Sequence, residues 1–177
     1  MRPPVTSDPL TVLLEHNRWA THKVLGLCRA LSAEQFHRAF DIGPGSLHDT
    51  LRHVVHNMRA WSDDIAGRAP RPPLRASQAG HAPDELGRLL DEATDDLRTL
   101  IEQSRGRLHD HVPVTFEDGG PVFTFTRGAA LTHVLVHGTH HRAQCLNMLR
   151  RLGVPGVSDR LPDIDVNEWQ YETECKS

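Results

Sequence analysis

The chain has 177 residues, the size of one ordinary domain and enough to bury a hydrophobic core without disulfides or a structural metal. Its charged fraction of 24% and formal net charge of -3 are typical of a globular protein and give no electrostatic reason to expect nucleic-acid binding. Three cysteines without CxxC spacing favour a reducing, cytoplasmic location over a disulfide framework: Cys28, Cys145 and Cys175.

The first nine residues contain prolines and charges instead of the apolar stretch of a secretion signal. No uninterrupted apolar run approaches the ~20 residues that a membrane-spanning helix needs. We therefore expect neither secretion nor membrane insertion.

The first half of the chain has the hydrophobic spacing of two helices that each bury one face. The first helix is predicted from Leu10 to Leu31 and the second from Leu47 to Ala66. Ser46 is placed to cap the second helix, and Gly67 is placed to end it. Between the helices, residues 32–35 have capping-box form and predict a short helical turn.

The second half contains two more helical segments with a different pattern between them. The third helix is predicted from Pro83 and Asp84 until Gly106, and the fourth from about Arg127 to Leu152. Between these helices apolar residues alternate with other residues on either side of a turn, which predicts a small β-hairpin formed by residues 112–116, 118–121 and 122–125.

Four long amphipathic helices favour an all-α fold, a four-helix bundle, because helices that face one another bury their apolar stripes with the least additional structure. We expect one domain over residues 1–177. It would comprise a bundle at about 10–153 and a C-terminal tail at 154–177, with a short helix around Val166 to Glu172.

Thirteen histidines, against a single tyrosine, are the most unusual feature of the composition. In the predicted fourth helix, His137 and His141 fall in the same sector as the apolar stripe, so both imidazoles should point into the bundle. They are four residues apart, and their rings can converge on one ion. An ordinary buried histidine is the simpler interpretation of one inward imidazole, but two would repel each other if both were protonated. A metal accepts both lone pairs at once, and we predict a metal site.

A third ligand should come from the second helix, which offers three histidines. Periodicity places His56 on the far side and places His48 and His53 at opposite edges of the apolar stripe, so it does not choose between these two. On the fourth helix, His133 and His140 lie at the edge of the stripe and are expected to face solvent or another helix. His133 continues the four-residue spacing and is the reserve ligand.

Three stretches of the chain resemble the DinB/YfiT-like family: residues 13–20, residues 46–55 followed by Trp61, and residues 132–144 followed by 149–153. The resemblance covers about residues 10–153. The metal ligands of that family are one histidine of the second helix and the two histidines of an HxxxHR motif on the last bundle helix. The matching positions here are His53, His137 and His141, so the resemblance selects His53.

The resemblance also implies an up-down-down-up bundle, a homodimer and one divalent ion such as zinc, nickel, iron or manganese. Three neutral nitrogens with an open coordination position are typical of a catalytic site and not of a structural site. We expect a metal-dependent enzyme, of thiol S-transferase, isomerase or hydrolase type, that activates a low-molecular-weight thiol or water for a small-molecule substrate. The alternative is a stress-associated metal-binding or interaction protein without turnover.

Other residues are expected to lie outside the site, and no general acid or base is predicted. Arg142 should form a salt bridge at the bundle surface or a dimer interface. Asn17 should hydrogen-bond between helices, while Trp19 and Cys145 should be packing residues. Ala143, where the family usually has glycine, should affect helix packing more than chemistry. The acidic residues of the third helix should form a solvated face: Asp91, Glu92, Asp95 and Asp96.

Overall fold

A computed structural model describes residues 8–74, 80–115, 120–158 and 162–174. The described chain is mostly helical and contains a small antiparallel hairpin, as predicted. Its helices are α1 (Pro9–Cys28), α2 (Ala33–His37), α3 (Leu47–Ala66), α4 (Pro83–Gln103), α5 (Arg127–Arg151) and α6 (Val166–Glu174), and its strands are β1 (His111–Thr115) and β2 (Val122–Thr126). No helix within these described ranges is long and apolar enough to cross a membrane.

The predicted caps set the limits of several helices. The Ser46 hydroxyl accepts the backbone N–H of Asp49 at the start of α3, and Gly67 ends that helix with a φ of 65°, a left-handed conformation that glycine adopts easily. The capping box of Ser32 and Gln35 is also confirmed. The first helix ends at Cys28, three residues before the predicted end, because Ser32 must adopt an extended conformation to cap α2.

Four long helices pack around a common apolar core. α1 and α3 each contact both α4 and α5. Two ion pairs link α1 to α4. Glu15 in the first half of α1 pairs with Arg98 near the end of α4, and Arg29 just after α1 pairs with Asp84 at the start of α4. These two helices therefore run in opposite directions. Each long helix contributes side chains with at most 1% exposure to the core, including Leu14, Leu51, Leu90, Leu135 and Met148.

The hairpin covers one end of the pair formed by α3 and α5. β1 pairs with β2 in a register that places Val112 opposite Phe125 and Val114 opposite Phe123. Both valines are 2% exposed, whereas Phe123 is 45% exposed, so β1 supplies most of the buried side of the hairpin. The predicted strand end at Phe116 and the first turn residues lie outside the described residues.

The C-terminal helix α6 packs against α1. α6 contains the buried Trp169, and the Trp19 indole N–H of α1 donates to a carboxylate oxygen of Glu172 in α6 over 3.2 Å. Trp19 is half-buried. Trp19 is therefore a packing residue, as predicted, and it helps hold the C-terminal helix on the bundle.

The acidic residues of α4 are more than a solvated face. Asp91 accepts a hydrogen bond from Arg18, and Asp96 accepts hydrogen bonds from Arg68 and Arg71. These ion pairs connect α4 to α1 and to the chain that follows α3. The expectation of a simply solvated face holds best for Glu92 and Asp95, which are exposed.

Candidate metal centre

Three histidines from two helices meet in the space between α3 and α5. The Nε2 atom of His137 lies 3.1 Å from Nε2 of His53 and 3.0 Å from Nε2 of His141. One ring nitrogen from each residue lies within 4.8 Å of the corresponding nitrogens of the other two. The i, i+4 spacing on α5 and the packing of α3 against α5 together produce this convergence.

The spacing of these nitrogens fits a shared metal ion. Nitrogens bound to one ion at ~2.0–2.1 Å lie about 2.9–3.4 Å apart for angles between a right angle and the tetrahedral value. Hydrogen bonding satisfies the group poorly, because each neutral imidazole has one N–H and one lone pair, and His137 Nε2 faces two other ring nitrogens. A cation placed among the three nitrogens would accept all three lone pairs.

Electrostatics keep these histidines uncharged at neutral pH. Burial, reinforced by the neighbouring imidazoles, lowers the pKa of His137 to about 3 and the pKa of His53 to about 4. Burial also lowers the pKa of His141. Neutral imidazole is the form that binds a metal, so the site has its ligands ready without proton release.

An open cleft lies beside one of the three histidines, His53. It has a volume of about 330 Å³ and is lined by Pro44, Asp49, Arg52, His53 and His56. Among the described residues, no fourth side chain joins the three histidines as a possible ligand. The arrangement therefore combines three converging ring nitrogens that could hold an ion with a cleft that reaches one of them, His53.

A sequence profile of the DinB family matches residues 6–172. This chain belongs to the DinB family. It is also similar to a protein named Protein DinB from Bacillus subtilis (strain 168), with 26% identity over 153 residues that cover 83% of this chain and 88% of that protein. Membership of the DinB family and the three-histidine geometry agree with a metal-binding protein.

The remaining histidines of this DinB-family chain lie outside the cluster. His48 is 4% exposed and packs against His37 and Phe36, with its Nδ1 atom 3.2 Å from a carboxylate oxygen of Asp49. Periodicity left His48 open as an alternative to His53, and the structure brings His53 to the cluster. His56 lines the cleft beside His53.

The two other histidines of α5 are close to the cluster without joining it. His133 is exposed and its ring lies 4.7 Å from that of Trp61, with 5.7 Å between the ring centres of His133 and His137. His140 is exposed beside His141, with 5.1 Å between the ring centres. His133, the predicted reserve ligand, is therefore near enough to help lower the pKa of His137, but it lies outside the group of converging nitrogens.

Gln144 contacts the site, although the sequence did not identify it as functional. Its Oε1 atom lies 2.8 Å from Nδ1 of His141. The sequence signal for this contact is spacing, because a residue three positions after His141 lies on the same helical face and can reach the ring nitrogen that points away from the other histidines.

The prediction for Arg142 is wrong. Its side chain is only 2% exposed, and among the described residues it forms no salt bridge. Its guanidinium instead donates to the side-chain oxygens of Asn17, Thr21 (3.2 Å) and Thr139 (3.0 Å). Burial lowers the pKa of Arg142 to about 10, so it remains a cation. The predicted role of Asn17 in helix–helix hydrogen bonding is confirmed.

Arg142 fits between α1 and α5 because of Gly138. A Cβ atom at Gly138 would collide with Oδ1 of Asn17 and crowd the Arg142 guanidinium.

Cys145 is fully buried and is not part of the histidine cluster, so its prediction as a core residue is confirmed. Ala143 is exposed and lies outside the histidine cluster, so its expected effect on packing more than on chemistry stays a prediction.

Proposed function

We propose that this DinB-family protein holds one divalent transition metal through His53, His137 and His141 and acts as a metal-dependent enzyme on a small molecule. The convergence of three Nε2 atoms carries this proposal. Nitrogen ligands of this kind suit zinc, nickel, iron or, less strongly, manganese. The reaction class we propose is activation of a low-molecular-weight thiol or water, as in a thiol S-transferase or a hydrolase.

The protein contributes two things to such a reaction. Burial keeps the three imidazoles neutral, so that their lone pairs are available. The cleft beside His53 has a volume of about 330 Å³, within the range of small-ligand pockets, and exposes the charged groups of Asp49 and Arg52 to an incoming molecule. The chemistry that a bound divalent ion supplies is Lewis acidity and a lowered pKa of a coordinated thiol or water.

Elemental analysis of protein purified without a histidine tag tests the metal site. We expect about one equivalent of a transition metal in the wild type and none in His53→Ala or His137→Ala. The matched control is His133→Ala, which removes a neighbouring exposed histidine and should keep the metal. A wild-type protein without metal after reconstitution, or loss of metal in the His133 variant alone, would contradict the proposed ligand set.

Turnover requires a separate test. The metal-loaded wild type should accelerate transfer of a low-molecular-weight thiol to an electrophile, or hydrolysis of an activated ester, and His137→Ala should not. A stoichiometric metal without any such acceleration would favour the alternative, a stress-associated metal-binding protein without turnover.

We also propose that residues 1–177 form one domain with an up-down-down-up bundle, and that the protein is a cytoplasmic homodimer. The buried thiols of Cys28 and Cys145 support a reducing location. Val136, 50% exposed on α5 beside a cleft lined by Leu13 and Leu146, supports an apolar contact between copies. Sedimentation equilibrium should give twice the chain mass, and Val136→Glu should give the chain mass.

A further inference from the structure

We propose that Gln144 is a positioning residue for the His141 ligand, and that residue 43 is glycine because the Gln144 side chain occupies the space next to it. Gln144 would hold the His141 proton on Nδ1 and thereby leave the lone pair on Nε2, the atom that faces the other two histidines. This inference rests on the proposed metal site and extends it to a residue outside the ligand set.

The contacts of His141 define the required tautomer. Its Nδ1 atom is 2.8 Å from Gln144 Oε1, and its Nε2 atom is 3.0 Å from His137 Nε2. A carboxamide oxygen only accepts hydrogen bonds, so Nδ1 must carry the proton and Nε2 must carry the lone pair. That tautomer is the one a metal at Nε2 requires.

The other end of the Gln144 amide supports this orientation. Its Nε2 atom lies 3.0 Å from Nε2 of His140, which can accept from the amide N–H. The opposite orientation would direct an amide N–H at His141 Nδ1 and force the His141 proton onto Nε2, where it would point at His137. His140 can accommodate this orientation as an acceptor, and the position of His141 Nε2 next to His137 favours it.

The loop before α3 restricts the Gln144 side chain from the opposite side. Gly43 has a φ of 51°, and a Cβ atom there would overlap the carboxamide carbon and oxygen of Gln144. The loop is held by a hydrogen bond from Phe40 N–H to Gly45 O of 2.6 Å and by one from Arg151 to Asp41 of 2.9 Å. The backbone at Gly43 therefore lies close to the Gln144 carboxamide and limits where this group can move.

The same loop reaches the cleft. Pro44, next to Gly43, lines the cleft beside His53. The segment 40–45 therefore contacts both the residue that orients a ligand and the space that we assign to the small molecule. A change in this loop should alter the metal site without touching any of the three histidines.

Zinc affinity, measured by competition with a chromophoric chelator, tests the role of Gln144. Gln144→Met keeps a similar volume but removes the acceptor, and we expect about 10–100-fold weaker zinc binding. Gln144→Glu keeps an acceptor oxygen and should retain at least the wild-type affinity. A residue that only fills space would give equal affinities in the wild type and Gln144→Met, and that result would overturn the inference.

A pair of glycine variants tests the contact with the loop. Gly43 and Gly45 both have positive φ, 51° and 104°, so Gly43→Ala and Gly45→Ala both strain the backbone. Near Gly45 the closest atom to an added Cβ is Phe40 O at 4.0 Å, whereas at Gly43 it is in Gln144. We expect Gly43→Ala to weaken zinc binding about as much as Gln144→Met does, and Gly45→Ala to lower only the thermal midpoint. Equal zinc affinity in both glycine variants would remove Gly43 from the proposal.

Imidazole nitrogen chemical shifts in the metal-free protein separate this inference from the proposed function. His141 should be the Nδ1–H tautomer in the wild type and should shift toward Nε2–H in Gln144→Met. If the wild type binds neither zinc nor nickel, iron or manganese, the proposed function fails, and the tautomer still decides the role of Gln144. If the wild type binds zinc but the tautomer and affinity are unchanged in Gln144→Met, only the inference about Gln144 fails.

Discussion

Two polar groups lie between the helices of this DinB-family protein, and they differ in how their hydrogen-bonding atoms are satisfied. In the arginine cluster, defined by Arg142, Asn17, Thr21 and Thr139, the guanidinium donates to neutral oxygens of the chain. In the histidine cluster, the ring nitrogens of three neutral imidazoles face one another. Because a buried polar group needs a partner, the oxygens around Arg142 complete the first cluster, whereas in the second the ring nitrogens have mainly one another as partners and lie close enough to hold an ion.

The largest expected effect is the loss of stability when the arginine cluster is disrupted. Asn17→Leu removes one of the three side-chain acceptors of the buried Arg142 cation. We expect it to lower the free energy of unfolding by about 3 kcal/mol, because water cannot reach the buried guanidinium to replace the lost hydrogen bond. Urea denaturation measures this loss. Asn147→Leu, an exposed amide on α5, is the control and should change stability by less than about 0.5 kcal/mol. Equal effects of the two variants would show that the arginine cluster adds nothing to stability.

The second-largest expected effect is stabilisation of the folded chain by zinc bound at the histidine cluster. Zinc at 100 times its dissociation constant should raise the free energy of unfolding of the wild type by about 2.7 kcal/mol, because it binds only the folded chain. His137→Ala should gain none of this stabilisation. Thermal unfolding with and without zinc measures the difference, and Thr21→Val, in the arginine cluster, should retain the full zinc response. A zinc response in His137→Ala equal to that of the wild type would refute a ligand role for His137.

A third prediction concerns the space that Gly138 leaves for the arginine cluster. Gly138→Ala should destabilise the protein by about 1–3 kcal/mol, since its Cβ would collide with Asn17. Gly26→Ala in α1 is the matched control, because nothing lies within 4 Å of the added Cβ, and it should stabilise by about 0.5–1 kcal/mol. Chemical denaturation should give changes of opposite sign. Stabilisation by both alanines would show that the arginine cluster tolerates the extra atom.

The smallest effect is the pH dependence near the arginine cluster. Burial, together with the charge of Arg142, lowers the pKa of His16 against the opposing hydrogen bond to Ile164. The unfolded chain therefore binds a proton at a higher pH than the folded chain, and stability is lost as pH falls below about 6.5. His16→Gln should flatten this part of the curve of thermal midpoint against pH. An unchanged curve would mean that His16 titrates alike in both states.

Much of the fold was accessible from local patterns. The limits of α3 follow from Ser46 and Gly67, and the hairpin follows from alternating apolar residues, because caps and strand periodicity depend on neighbours in the chain. The end of α1 was less accessible. The position of this end depends on the extended conformation of Ser32, which prevents α1 from continuing to the predicted Leu31.

The sequence by itself determined that His137 and His141 share one helical face, because the helical repeat is a local property of the backbone. Helical periodicity left His48 and His53 open, and only the family resemblance favoured His53. The tertiary structure brings His53 to His137 and His141, because that meeting depends on how far two packed helices are rotated and shifted relative to each other. The burial of Arg142 was decided in the same way, by the close approach of α1 at Gly138. So was the contact of Gln144 with Gly43, because it joins residues about a hundred positions apart that meet only when the core packs.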